Sequence, residues 1–149
     1  MTDNQFHLIP LDLYMRDVAL IVGTWNYALG RLGDQMGKHE RRELMDSKPG
    51  KQERGRFFLL NSGLAVIWIR PRQSPEVTAS TLIHEITHAS FGILDKVGIS
   101  PCRESEEAYA YLTEYLTWEA WKKLGFIHPS CPSCPPLSPL SLGASRHTS

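Results

Sequence analysis

Apolar residues fall into four stretches whose spacing predicts the secondary structure. Leu13, Val18, Ile21, Val22, Trp25, Ala28, Leu29 and Leu32 recur three and four residues apart, so they predict a long amphipathic N-terminal helix from about Leu11 to Leu32. Gly33 and Gly37 end it, and the mixed charges of Lys38 to Arg56, broken by Pro49-Gly50, predict a short polar helix followed by a flexible loop. The runs Arg56–Leu60 and Leu64–Ile69 are rich in β-branched and aromatic residues and flank Asn61-Ser62-Gly63, which predicts a β-hairpin and hence a small antiparallel sheet. Beyond Pro71 and Pro75, a helical pattern opens at Val77 and carries Leu82, Ile83, Ile86, Ala89 and Phe91 to about Leu94. A final helix is expected from about Glu104 to Leu124, capped near Ser105 and stopped by Gly125.

Five of the ten prolines then follow His128, so residues 128–149 read as a Pro/Ser-rich disordered tail and residues 1–127 as one folded domain. A folded part of about 127 residues suits a single hydrophobic core. Cys102, Cys131 and Cys134 are too few for a disulfide framework, and the first ten residues do not have the pattern of a secretory signal, so a cytoplasmic protein is expected. Asp12, Arg16, Asp17, Asn26 and Arg31 interrupt the first apolar stretch too often for a membrane span.

Charge adds a second layer. Sixteen basic and sixteen acidic residues cancel, which argues against a nucleic-acid or membrane partner. The cancellation hides an uneven layout. Residues 31–56 hold eight basic residues beside five acids and read as a solvated face. Residues 76–119 hold eight acids with only Lys96 and Arg103 against them, a fitting background for a cation.

The candidate chemistry is His84-Glu85-Ile86-Thr87-His88 on the third helical segment. Histidines at i and i+4 project from one helical face and can share a zinc ion, while Glu85 between them reaches a metal-activated water as general base. The flanking Thr81, Leu82, Ile83, Ile86, Thr87 and Ala89 are uncharged, as a half-buried metal helix requires. With these residues the chain resembles the zincin metallopeptidases, in particular the gluzincin type, in which a glutamate on a following helix is the third ligand. The later glycine and histidine of the metzincin pattern are missing after His88.

Within Arg103–Leu112, Glu107 followed by Ala108-Tyr109-Ala110-Tyr111 is similar to the ligand position of small zincin-like proteins of phages and prophages, with Glu104 and Glu106 as alternatives. The resemblance implies a compact α+β zincin domain in which His84, His88 and Glu107 hold Zn2+, and Glu85 is catalytic. Tyr111 would face the developing oxyanion, and Trp68-Ile69-Arg70 would be the sheet edge that binds an extended peptide or protein substrate. Glu114 and Asp95 are candidates to support the ligands. Two rival readings are a non-catalytic zinc-stabilised binding module and a SprT-like nucleic-acid-associated protease. The latter would use His128, Cys131 and Cys134 in a second metal site, but it lacks the further cysteine pair of a zinc ribbon.

Overall fold

The computed structural model describes residues 4–14 and 16–127, apart from the side chain of Leu13. Its order is β1 (Gln5–Leu11), β2 (Arg16–Val22), α1 (Trp25–Arg31), α2 (Lys38–Asp46), β3 (Gly55–Leu59), β4 (Ala65–Ile69), α3 (Pro75–Lys96) and α4 (Glu106–Leu124). The protein is α+β, with one four-stranded sheet in the order β1-β2-β4-β3. The outer pairs are antiparallel and the central pair β2–β4 is parallel, so the sheet is mixed.

The expected N-terminal helix is corrected to a strand, a turn and a seven-residue helix. Val18 to Val22 form a central strand that is buried on both faces. Val18, Leu20 and Val22 pack with Ile67 and Ile69 against Leu82, Ile86, Ile93, Leu112 and Leu116 of α3 and α4. Ala19 and Ile21 turn the other way, joining Val66 and Trp68 against Trp25, Ala28 and Leu29 of α1. A strand covered on both sides has no polar alternation, and its continuous apolar run has the look of a helical face. β1 completes the sheet on that side and carries Pro10, an imino acid tolerated at a sheet edge.

The other elements follow their sequence signals. Ser74 Oγ accepts from the Val77 amide at 3.3 Å and Pro75 occupies the first turn, so α3 starts two residues before its periodic pattern. The hairpin turns at Gly63, whose φ of 90° suits glycine. Ser105 precedes α4, but its hydroxyl donates to the Ser100 carbonyl at 2.7 Å and does not cap the helix. Among the described residues no helix is long and apolar enough to cross a membrane.

Candidate metal centre

α3 lies across one sheet face beside β3, which places one of its sides along the free edge of the sheet. His84 and His88 are exposed there, with their Nε2 atoms 3.1 Å apart and their rings nearly perpendicular. Glu85 lies one residue around the helix and is only 7% exposed, facing the start of β3.

Gly55 makes this approach possible. A Cβ at Gly55 would come within 2.7 Å of Thr81 Cγ2 and 2.9 Å of Glu85 Cγ. A second close approach at Gly92, where a Cβ would meet the Phe57 ring at 2.6 Å, holds the same strand against the same helix. Strand pairing decides which backbone groups remain free. The bonds Arg70 N–H to Arg54 O and Leu60 N–H to Leu64 O fix residues 54, 56, 58 and 60 as the positions that face β4. The amides and carbonyls of Gly55, Phe57 and Leu59 therefore point off the edge.

Burial raises the Glu85 carboxyl above the usual carboxylate range, opposed by His84, by His88 and by the Phe57 backbone N–H. A buried carboxylate with a raised pKa and a nearby hydrogen-bond donor is a suitable proton acceptor near neutral pH. Gly55 and Phe57 belong to no motif in the sequence, although a glycine opening a strand beside a helix is a mark of close backbone approach. Gly55→Ala is expected to cost about 1–3 kcal/mol through overpacking and to displace Glu85. Urea denaturation compared with the Gly50→Ala variant, at a site with open space around it, checks this.

A tied loop borders the site. Arg56 donates to both Glu53 oxygens at 2.6 and 2.9 Å and to the Ser47 carbonyl, while Arg70 donates to the Gly50 and Glu53 carbonyls. The hydrogen bond from Arg56 holds the Glu53 carboxyl below its ordinary value of 4.5. With a depressed folded pKa, its contribution is present above about pH 4.5 and is lost as pH falls through the folded value. The protection of amides 47–56 against hydrogen exchange, taken relative to the intrinsic rate at each pH, is thus expected to fall on acidification below pH 4.5, more than in Glu53→Gln, which lacks this titration. These pairings also divide the basic stretch 31–56, since Arg56 is tied to Glu53 and Arg31 lies over the Phe6 ring.

Of the expected site residues, the structure brings together His84, Glu85 and His88. Among the described residues no three His, Cys, Asp or Glu side chains gather to hold a metal ion. α4 crosses α3 where Thr113 Oγ1 donates to Ser90 Oγ at 2.9 Å. Glu107 is exposed six residues before that crossing, about 9 Å along the helix axis. It lies toward the end of α3 where the Tyr109 hydroxyl reaches the Ile99 carbonyl, whereas His84 and His88 lie on the other side of Ser90. Glu114 is next to the crossing. Glu104 and Glu106 precede Glu107 and are farther still.

Tyr111 is 48% exposed and lies about 200° around α4 from Thr113, on the side away from α3, so it does not face the histidines. Tyr109 is the tyrosine that meets α3, stacking on Phe91 with centroids 4.7 Å apart. Trp68 and Ile69 are corrected from edge to interior, because β4 pairs on both sides, and Arg70 follows them bonded to Arg54; the edge beside the histidines is β3. His128, Cys131 and Cys134 lie outside the described residues.

The class defined by this arrangement is an α+β protein with a histidine pair and a buried glutamate against a free sheet edge. The chain matches no family model, no curated protein and no solved structure.

Proposed function

We propose that the protein is a zinc-dependent peptidase of the gluzincin kind, acting in the cytoplasm on an extended peptide or protein segment. The observation that carries this reading is the pairing of His84 and His88 Nε2 at 3.1 Å with Glu85 buried beside them. Two nitrogens each about 2.0–2.1 Å from a tetrahedral zinc stand roughly 3.3 Å apart, so the two side chains fit that ion. The third ligand is a carboxylate of α4. Glu107 is the one that the resemblance implies, and Glu114 is closer in level to the pair.

Zinc supplies Lewis acidity, which polarises a carbonyl and makes water acidic near neutral pH. Glu85 takes the proton of the attacking water and returns it to the leaving amine. The outward amides and carbonyls of Gly55 and Leu59, with the Phe57 carbonyl, hold the substrate backbone in extended form as an added strand, while the Phe57 N–H stays on Glu85. A structural zinc site needs no buried base beside its ligands, and for this reason Glu85 favours catalysis over a zinc-stabilised binding module.

Incubation of the purified protein with unfolded protein substrates tests the reading. Chelation is expected to abolish hydrolysis and one equivalent of zinc to restore it. Metal-independent turnover, or zinc binding without any hydrolysis, would contradict it.

A further inference from the structure

Besides its carboxylates, α4 carries a second feature. Tyr109, Ala110, Thr113, Thr117, Trp118 and Trp121 line an open apolar groove along the helix, with Glu106 and Glu114 on its rim. Leu112, Leu116 and Ala120 are buried on the sheet side, so the groove is not part of the main core. The Trp121 Nε1–H is shielded from solvent and has no acceptor among the described residues. A buried donor left in this state costs about 1–3 kcal/mol.

The chain itself holds a segment with the matching chemistry. Gly125, at φ 75°, ends α4 and turns the backbone back, and the Phe126 amide bonds to the Trp121 carbonyl. Residues 128–149 follow in sequence directly after this end of the groove. They contain Pro132, Pro135, Pro136 and Pro139, with Leu137 and Leu140 between and beyond them. In a polyproline helix of three residues per turn, Pro136 and Pro139 share one edge and Leu137 and Leu140 the next, making an apolar ridge with exposed carbonyls. Grooves lined by tryptophan and tyrosine recognise such ridges, and the indole N–H commonly donates to a carbonyl of the ligand.

Length and charge agree with this occupant. From Trp121 to Glu106 the groove runs fifteen residues, about 22 Å along the helix. About seven residues of polyproline helix, at roughly 3.1 Å each, cover that distance. A tail running back along α4 from Pro135 then ends with Arg146 and His147 near Glu104, Glu106 and Glu107; residues 128–149 contain no acidic residue.

We infer that residues 135–142 dock in this groove of their own chain as a polyproline-type strand antiparallel to α4. The inference does not depend on zinc or on peptidase activity.

The test uses the full-length chain with Ser145→Cys as the sole thiol, in a Cys102→Ser, Cys131→Ser, Cys134→Ser background, carrying a nitroxide. Docking predicts several-fold loss of amide signal intensity centred on residues 106–113, at the far end of α4 from where the tail emerges. Leu137→Asp together with Leu140→Asp is expected to restore those signals while leaving the circular dichroism unchanged. Losses centred on residues 120–127 or spread evenly would overturn the inference. So would equal losses on an isotope-labelled chain mixed with spin-labelled copies, since the groove would then be taken by a second molecule.

Discussion

Glu85→Gln is expected to reduce peptide hydrolysis by about 10²–10⁴-fold, the range contributed by a positioned general base, while one zinc per chain remains bound. Glutamine has the size of glutamate and can keep the packing beside Gly55 and Thr81, so the fold has no reason to change. It can still accept a hydrogen bond from the Phe57 amide through its carbonyl oxygen. What it loses is the ability to take a proton from water and pass it to an amine. His84 and His88 are untouched, which separates loss of chemistry from loss of metal. Hydrolysis and zinc content measured on the same preparation check this; activity within twofold of the parent would remove Glu85 from the mechanism.

Trp68→Ala is expected to cost about 3–5 kcal/mol of folding stability, against a total of roughly 5–15 kcal/mol for a domain of this kind. Trp68 is 1% exposed and packs edge-on against Trp25 with ring centroids 5.3 Å apart. Its Nε1–H donates to the Gly23 carbonyl at 2.8 Å, tying the end of β2 to β4 across the core. Removal of the ring leaves a cavity between the sheet and α1 and an unpaired carbonyl at the strand-to-helix turn. Trp68→Phe keeps most of the packing and loses the hydrogen bond, so a smaller loss is expected. Urea denaturation of both variants gives the two values. Trp68 packs in the cluster on α1, whereas α3 and its histidines belong with the opposite face, so hydrolysis by Trp68→Phe under folding conditions is expected to stay near the parent level.

The contrast between these two positions shows where residue patterns are informative. His84, Glu85 and His88 are neighbours on a single helix, so helical periodicity alone puts both imidazoles on one side, and the structure has them there. The hairpin at Asn61-Ser62-Gly63 and the stop at Gly125 are also local, each needing a residue that tolerates positive φ or a turn. What could not be read locally is how distant segments meet. The run Val18–Val22 is a strand because α1 covers one of its faces and α3 with α4 the other. The choice of β3 as the free edge depends on β2 entering the sheet beside β4, a parallel pairing with no short-range signature.

The same reason limits the third ligand. The resemblance implies Glu107 as a ligand and Tyr111 one helical turn beyond it, but the position of each relative to the histidines depends on where α4 crosses α3. That crossing is pinned by Ser90 and Thr113, two small hydroxyl residues with no distinctive pattern. Gly55 shows the converse. Its meaning as the point where the edge strand touches Glu85 appears only once β3 and α3 are packed together.

In the proposed function this histidine pair holds a catalytic zinc. The most direct test is a diffraction map recorded at the zinc absorption edge from crystals of the zinc-loaded protein, with metal content measured on the same sample. One zinc per chain is expected, bound by His84 Nε2, His88 Nε2 and one carboxylate of α4, Glu107 or Glu114, with a further position open to water. Zinc absent from the histidine pair, or closed in by a fourth protein ligand, would contradict it.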